Sequence, residues 1–168
     1  MRLGIFNKAP VALLAFFGLL SAEPEIWLSA DCLHAEQGQT VRVVAWMKGG
    51  DDVKAYNLGI AFDSAAFRLK TAAAEAPAGD LKNALACGGR PILPLVKQGT
   101  GRINIAATTT GSGECIAGEC VLGILILEAI GRGKVDVSLC DVQLLSVDRN
   151  LIECKVLSEL TIIQGNVK

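Results

Sequence analysis

Few residues in this 168-residue chain are of the types that carry covalent chemistry, and their spacing limits what they can do. His34 is the single histidine. A nucleophilic triad built on it would want a serine on a sharp turn such as Gly-x-Ser-x-Gly, and no such segment occurs. Asp51, Asp52, Asp136, Asp141 and Asp148 fall in or beside turn segments, where Asp serves by bonding to nearby backbone. No two of them stand out as the carboxylate pair of a glycosidase. A structural zinc site asks for closely spaced Cys pairs or mixed Cys and His ligands. The segment "CIAGEC" separates Cys115 from Cys120 by four residues, and no second pair matches it. The sequence predicts a non-catalytic chain with no metal ligands and no cofactor.

The cysteines themselves have a different chemistry, which depends on compartment. Met1–Ala22 carries Arg2 and Lys8, then the apolar run Ala9–Leu20, and ends in a small residue before Glu23 and Pro24. That order reads as a secretory signal peptide, and the run is shorter than the ~20 apolar residues that a spanning helix needs. The mature chain, 23–168, is then a single domain with no membrane span. It loses two basic groups from a whole-chain balance of 16 basic against 17 acidic, so nothing remains to track a phosphate backbone and nucleic acid is excluded as a partner. All six cysteines, Cys32, Cys87, Cys115, Cys120, Cys140 and Cys154, lie in the mature part. An even count in an exported chain reads as disulfides. Cys115 and Cys120 flank a bend at Ala117-Gly118 and are expected to bond across it. The other four allow three pairings, of which Cys140–Cys154 with Cys32–Cys87 is preferred.

The elements that must position these residues are strands. In "AYNLGIAFDSAAFRL" Tyr56, Leu58, Ile60 and Phe62 point one way, and Ala55, Asn57, Gly59 and Ala61 the other, because side chains alternate along an extended chain. One face makes core; the other is flat, unless neighbouring strands cover Gly59 and Ala61. Similar alternation marks Ile26–His34, Thr40–Lys48, Phe67–Ala72 and the segments "GRINIAATTT", "CVLGILILEAI", "KVDVSLCDVQLLSV" and "SELTIIQGNV". Gly, Asn and Asp separate them. Only "AAAEAPAGDLKNALACGGR" changes character, with Asp80 placed as a helix N-cap and Gly88 as a stop, so a short helix or ordered loop is expected near 80–87. About nine short strands with almost no helical period predict an all-β jelly-roll sandwich.

These segments resemble, in order, the cohesin domains. "GQTVRVVAWMKG" is similar to that family's opening strand, "YNLGIAFDS" to its strand ending in an aromatic-Asp turn, and "GRINIAATTTGSG" to the strand and loop that follow. "GECVLGILILEAIGRGKVDVSL" resembles its next strand and return, and "QGNV" its closing motif. Ser64 stands where the family usually has Pro, and Leu127 where it has an aromatic. The resemblance implies a nine-stranded jelly roll that binds dockerin modules through one flat sheet face. Carried onto this chain, it places the partner contacts at Ala55, Asn57, Gly59 and Ala61, and implies an exported protein or dockerin-like partner in a surface assembly, periplasmic or extracellular. Polysaccharide is the alternative ligand. It would need exposed rings, and of the five aromatics in the mature chain only Trp27 and Trp46 fall outside core-facing patterns.

Overall fold

The computed structural model describes residues 23–50, 52–73, 91–109, 116, 118–157 and 159–165. The expected leader, the expected helix or loop near 80–87, Cys87 and Cys115 lie outside them. All regular structure among the described residues is β. The strands are β1 (Glu25–Ala30), β2 (His34–Ala35), β3 (Thr40–Lys48), β4 (Val53–Phe62), β5 (Phe67–Ala73) and β6 (Pro91–Gly99). They continue with β7 (Arg102–Thr109), β8 (Cys120–Ala129), β9 (Gly133–Ser146), β10 (Leu151–Ile152), β11 (Lys155–Leu157) and β12 (Glu159–Gln164). One sheet has the order β11-β1-β3-β8-β5, and the other β2-β12-β9-β4-β7-β6 with β10 beside β9. The sequence expectation of a jelly-roll sandwich holds, with twelve strands among the described residues in place of about nine; β2, β10 and β11 are the short ones.

The core forms where the inward residues of the two sheets meet. Ile26, Val43, Met47, Leu125, Leu127 and Phe67 come from one sheet, and Leu58, Ile60, Ile103, Ile105, Leu144 and Ile162 from the other, all buried. Burying such side chains is worth about 1.5–3 kcal/mol each, which fixes the register of every alternating strand. Tyr56 crosses the gap, its hydroxyl donating to the Leu122 carbonyl at 2.7 Å. That carbonyl needs a donor for a reason visible in the ladder. Ala45 pairs with Gly123 and Trp46 with Val121, so Leu122 is the extra residue of a bulge.

Two sequence expectations change here. Ile26–His34 is not one strand: β1 ends at Ala30, and β2 joins the other sheet parallel to β12. Asp31 makes the corner. Its backbone N–H donates to the Arg42 carbonyl, and its Oδ1 accepts from the Arg42 N–H at 2.9 Å. The side chain thus takes the next ladder bond, and the backbone turns away. The second change is β6, which the sequence reading passes over because Pro91 and Pro94 interrupt it. It exists as an edge strand of its sheet, with Pro91 at its first position and Pro94 inside a register shift between Ile92 and Leu95, all places where a ladder tolerates proline.

The disulfide expectations also need correction, since none forms among the described residues; Cys32, Cys140 and Cys154 are free thiols. Cys140–Cys154 fails on geometry. The turn after β9 pairs Leu151 with Leu145 and Ile152 with Leu144, and Cys154 then packs against the core. Cys140 faces outward over Gly59. Cys32 packs at the core edge, and Cys87, its expected partner, lies outside the described residues. Cys120 is buried in β8, and its expected partner Cys115 is outside the described residues.

Candidate functional site

Of the carboxylates and the histidine singled out in the sequence, Asp136 and Asp141 do local work, and Asp51 lies outside the described residues. Asp136 accepts from the Thr161 hydroxyl at 2.7 Å, and Asp141 pairs with Arg102. Asp148 sits in the turn after β9, and His34 is exposed on the edge strand β2. Among the described residues no three His, Cys, Asp or Glu side chains are grouped to hold a metal ion.

The built surface is the outer face of β9-β4-β7-β6. Along β4 the alternation places Tyr56, Leu58, Ile60 and Phe62 in the core, and Ala55, Asn57 and Ala61 half-exposed on the other side. Each outward position has neighbours on both strands. Ala55 lies between Leu145 and Thr108, Asn57 between Gln143 and Ala106, Gly59 between Cys140 and Asn104, and Ala61 between Ser138 and Arg102. On β6, Leu95 stands beside Ala106 and Lys97 beside Asn104. The centre of the face is therefore small or polar, with Leu95 at one margin and Leu151 at the other, 57% and 71% exposed.

Gly59 is part of this face in an unexpected way. Asn57 pairs with Gln143 but Gly59 with Cys140, so Asp141 and Val142 together oppose Leu58 in a bulge, with Asp141 in the left-handed region at φ 48°. The bulge folds β9 down over Gly59. A Cβ there would lie 2.5 Å from the Cys140 carbonyl oxygen and 2.7 Å from its Sγ. Gly59 is thus buried under Cys140 and admits the bulge rather than offering open surface. The same bulge turns Asp141 outward, where its carboxylate meets the Arg102 guanidinium arriving from β7. Arg102 Nε also donates to Asn104 Oδ1 at 3.3 Å, and Asn57 Nδ2 reaches the Asp141 carbonyl at 3.5 Å. An ion pair therefore spans the strip of small side chains. Arg102, Asn104, Thr108, Cys140 and Asp141 escaped the sequence reading as members of this face. The alternation of Arg102, Asn104 and Ala106 against Ile103, Ile105 and Ala107 was the available signal for β7, but nothing marked the bulge.

Trp27 and Trp46 lie on the opposite surface of the molecule. They are register partners on β1 and β3, and their rings stack with centroids 6.3 Å apart and planes 12° apart. The two rings that the sequence left on separate strands are thus adjacent. Trp46 Nε1 donates to Ser29 Oγ at 2.8 Å.

A scan against protein-family models finds no match, and neither does a search of the curated proteins. Solved structures do match. A non-cellulosomal cohesin from the archaeon Archaeoglobus fulgidus superposes with a TM-score of 0.65 at 16% identity, over 86% of this chain and 93% of that one. A cohesin module from a family 33 glycoside hydrolase of Clostridium perfringens gives 0.66 at 15% identity, over 85% and 97%. One chain of a type I cohesin–dockerin complex from Clostridium thermocellum gives 0.64 at 11% identity, over 85% and 95%. Two sheets in the order described, with these neighbours, identify the fold of this chain as that of the cohesin domains.

Proposed function

We propose that the chain is a non-catalytic, exported binding module that docks a protein partner of dockerin-like kind on the outer face of β9-β4-β7-β6. The observation that carries this reading is the face itself: the three adjacent strands β9, β4 and β7 present mostly small and polar side chains, with Asn57 near the middle. Such a surface lets a partner approach closely while few long side chains lose rotamer freedom. Similar folds solved as cohesin–dockerin complexes support a protein partner. Met1–Ala22 supports export by its charge and apolar pattern, and 23–168 is then the mature domain. A link to polysaccharide breakdown would come through the partner.

The test begins by capturing the partner from the exported proteins of the source organism and isolating it. Asn57→Arg adds bulk and a charge that docking would bury unpaired, a change that costs several kcal/mol, so affinity for the isolated partner should be lost. A folded Asn57→Arg protein with unchanged affinity overturns the reading. The second reading, a carbohydrate-binding module, is favoured by one observation, the stacking of Trp27 on Trp46.

A further inference from the structure

The stacked pair stands beside a recess. Trp27, half-exposed, lines a shallow depression of about 470 Å³ together with Glu25, Leu28, Lys48, Glu119 and Leu157. Its ring is backed by a fixed neighbour. Trp46 is tied to Ser29 and rests against Val44, Val121 and Ile124, a second buried cluster on the outer side of this sheet. Val121 and Ile124 are only 1% and 3% exposed, so the platform beneath the indoles is rigid before any ligand arrives. Rigid aromatic surface costs little to order on binding.

The rim narrows the choice of ligand. Glu25 and Glu119 supply acceptors, while Lys48 supplies donors, as does Lys155, whose Nζ lies 3.1 Å from Glu25 Oε1. A lipid chain would strip water from these charged groups and offer them no hydrogen bonds, at a cost. A cationic ligand would be drawn to the indole face and the carboxylates, but opposed by Lys48 and Lys155. A pyranose suits both halves of the recess. Its C–H face is apolar and lies flat on an indole, and its hydroxyls both donate and accept, matching ammonium and carboxylate alike. We infer that this depression is a glycan subsite in which Trp27 carries the sugar ring and Glu119 and Lys48 hold its hydroxyls. The inference rests on the second reading above, and it adds that this ligand and a protein partner bind together. The Trp27 recess and the Asn57 face lie on opposite outer surfaces of a sandwich whose sheets pack about 10 Å apart.

The chain holds two tryptophans, so its amide spectrum contains two indole N–H signals, assigned by Trp27→Phe. Titration of the whole protein with cellohexaose, xylohexaose and mannohexaose should move the Trp27 signal saturably with at least one of them. Glu119→Gln should weaken that sugar about tenfold or more, a loss of about 1.4 kcal/mol, with the thermal transition unchanged. Trp27→Ala should abolish binding measured by calorimetry; Glu119→Gln keeps the test decisive if that variant does not fold. Asn57→Arg should leave the titration unaltered. No shift with any of the three sugars overturns the inference. Sugar binding seen by calorimetry without movement of the Trp27 signal overturns this subsite while leaving a carbohydrate ligand in place, and loss of the shift in Asn57→Arg overturns the independence of the two faces.

Discussion

At the scale of single residues, what decides the candidate face is crowding rather than openness. Gly59 reads in the sequence as a gap in a strand, whereas the fold uses it as the floor under a bulge. Gly59→Ala would force its Cβ against backbone, the Cys140 carbonyl oxygen at 2.5 Å, and backbone moves less readily than a flexible side chain. The expected loss is about 1–3 kcal/mol, the usual range for overpacking, read from chemical denaturation. Unchanged stability would mean that the bulge does not press on β4. The thiols give a second check. Burial pushes the Cys32 thiol above its ordinary pKa, with Asp31 adding to the shift, and burial followed by Glu23 does the same at Cys154. Because the thiolate is the nucleophile, native alkylation of both should be slow at neutral pH and accelerate only in the alkaline range. The proton is held more tightly in the folded state, so the stability these groups contribute is full below the ordinary thiol pKa and declines as pH rises past it. Alkylation of the denatured, unreduced chain should label Cys32, Cys140 and Cys154. A peptide map with Cys140 bonded to Cys154 would contradict the geometry. Sequence could not foresee this, because cysteine parity carries no information on which side of a sheet each sulfur faces.

At the scale of elements, alternation made most strands legible and corners made the rest obscure. Thr40–Lys48 reads correctly to the residue, since Val41, Val43, Ala45 and Met47 have to share the core side. Tyr56 to Phe62 reads correctly for the same reason. Ile26–His34 does not, because its alternation continues through a point where the chain leaves one sheet for the other. What ends β1 is a single side chain, Asp31, bonding back to Arg42, and Asp is common in many places where no corner forms. β6 is hidden by its prolines, although its position at the sheet edge makes them permissible and, together with Lys97, protective against pairing with another chain. Asp31→Ala removes the acceptor for the Arg42 N–H. It should cost about 1 kcal/mol, the net worth of such a bond, and raise amide exchange at Arg42 while exchange in β8 stays unchanged. Equal acceleration along β8 would show that the corner does not act locally.

At the scale of the whole molecule, the two sheets present outer faces of different character, and the core between them has to hold both in place. The face around Asn57 is small, polar and crossed by the Arg102–Asp141 pair, whereas the face around Trp27 is aromatic, rimmed by charge and seated on its own apolar cluster. The first was legible in part through one strand and its family resemblance. The second was not, because only the β1–β3 register makes neighbours of two tryptophans that lie far apart in the chain. A buried hydrogen bond joins the halves at a point where both ladders leave a need: Tyr56 brings a hydroxyl into the core, and the bulge in β8 leaves the Leu122 carbonyl in want of a donor. Each satisfies the other. Tyr56→Phe keeps the ring and its packing but strands that carbonyl in an apolar interior, a loss of about 1–3 kcal/mol for an unsatisfied buried group. Since the ring still fills its place between the sheets, unfolding should remain a single transition with an unchanged denaturant slope at a lower midpoint. A midpoint equal to wild type would mean that water reaches Leu122 and that this bond adds nothing to the joining of the two sheets. A reduced slope or a second transition would mean that this bond makes the two faces one cooperative unit.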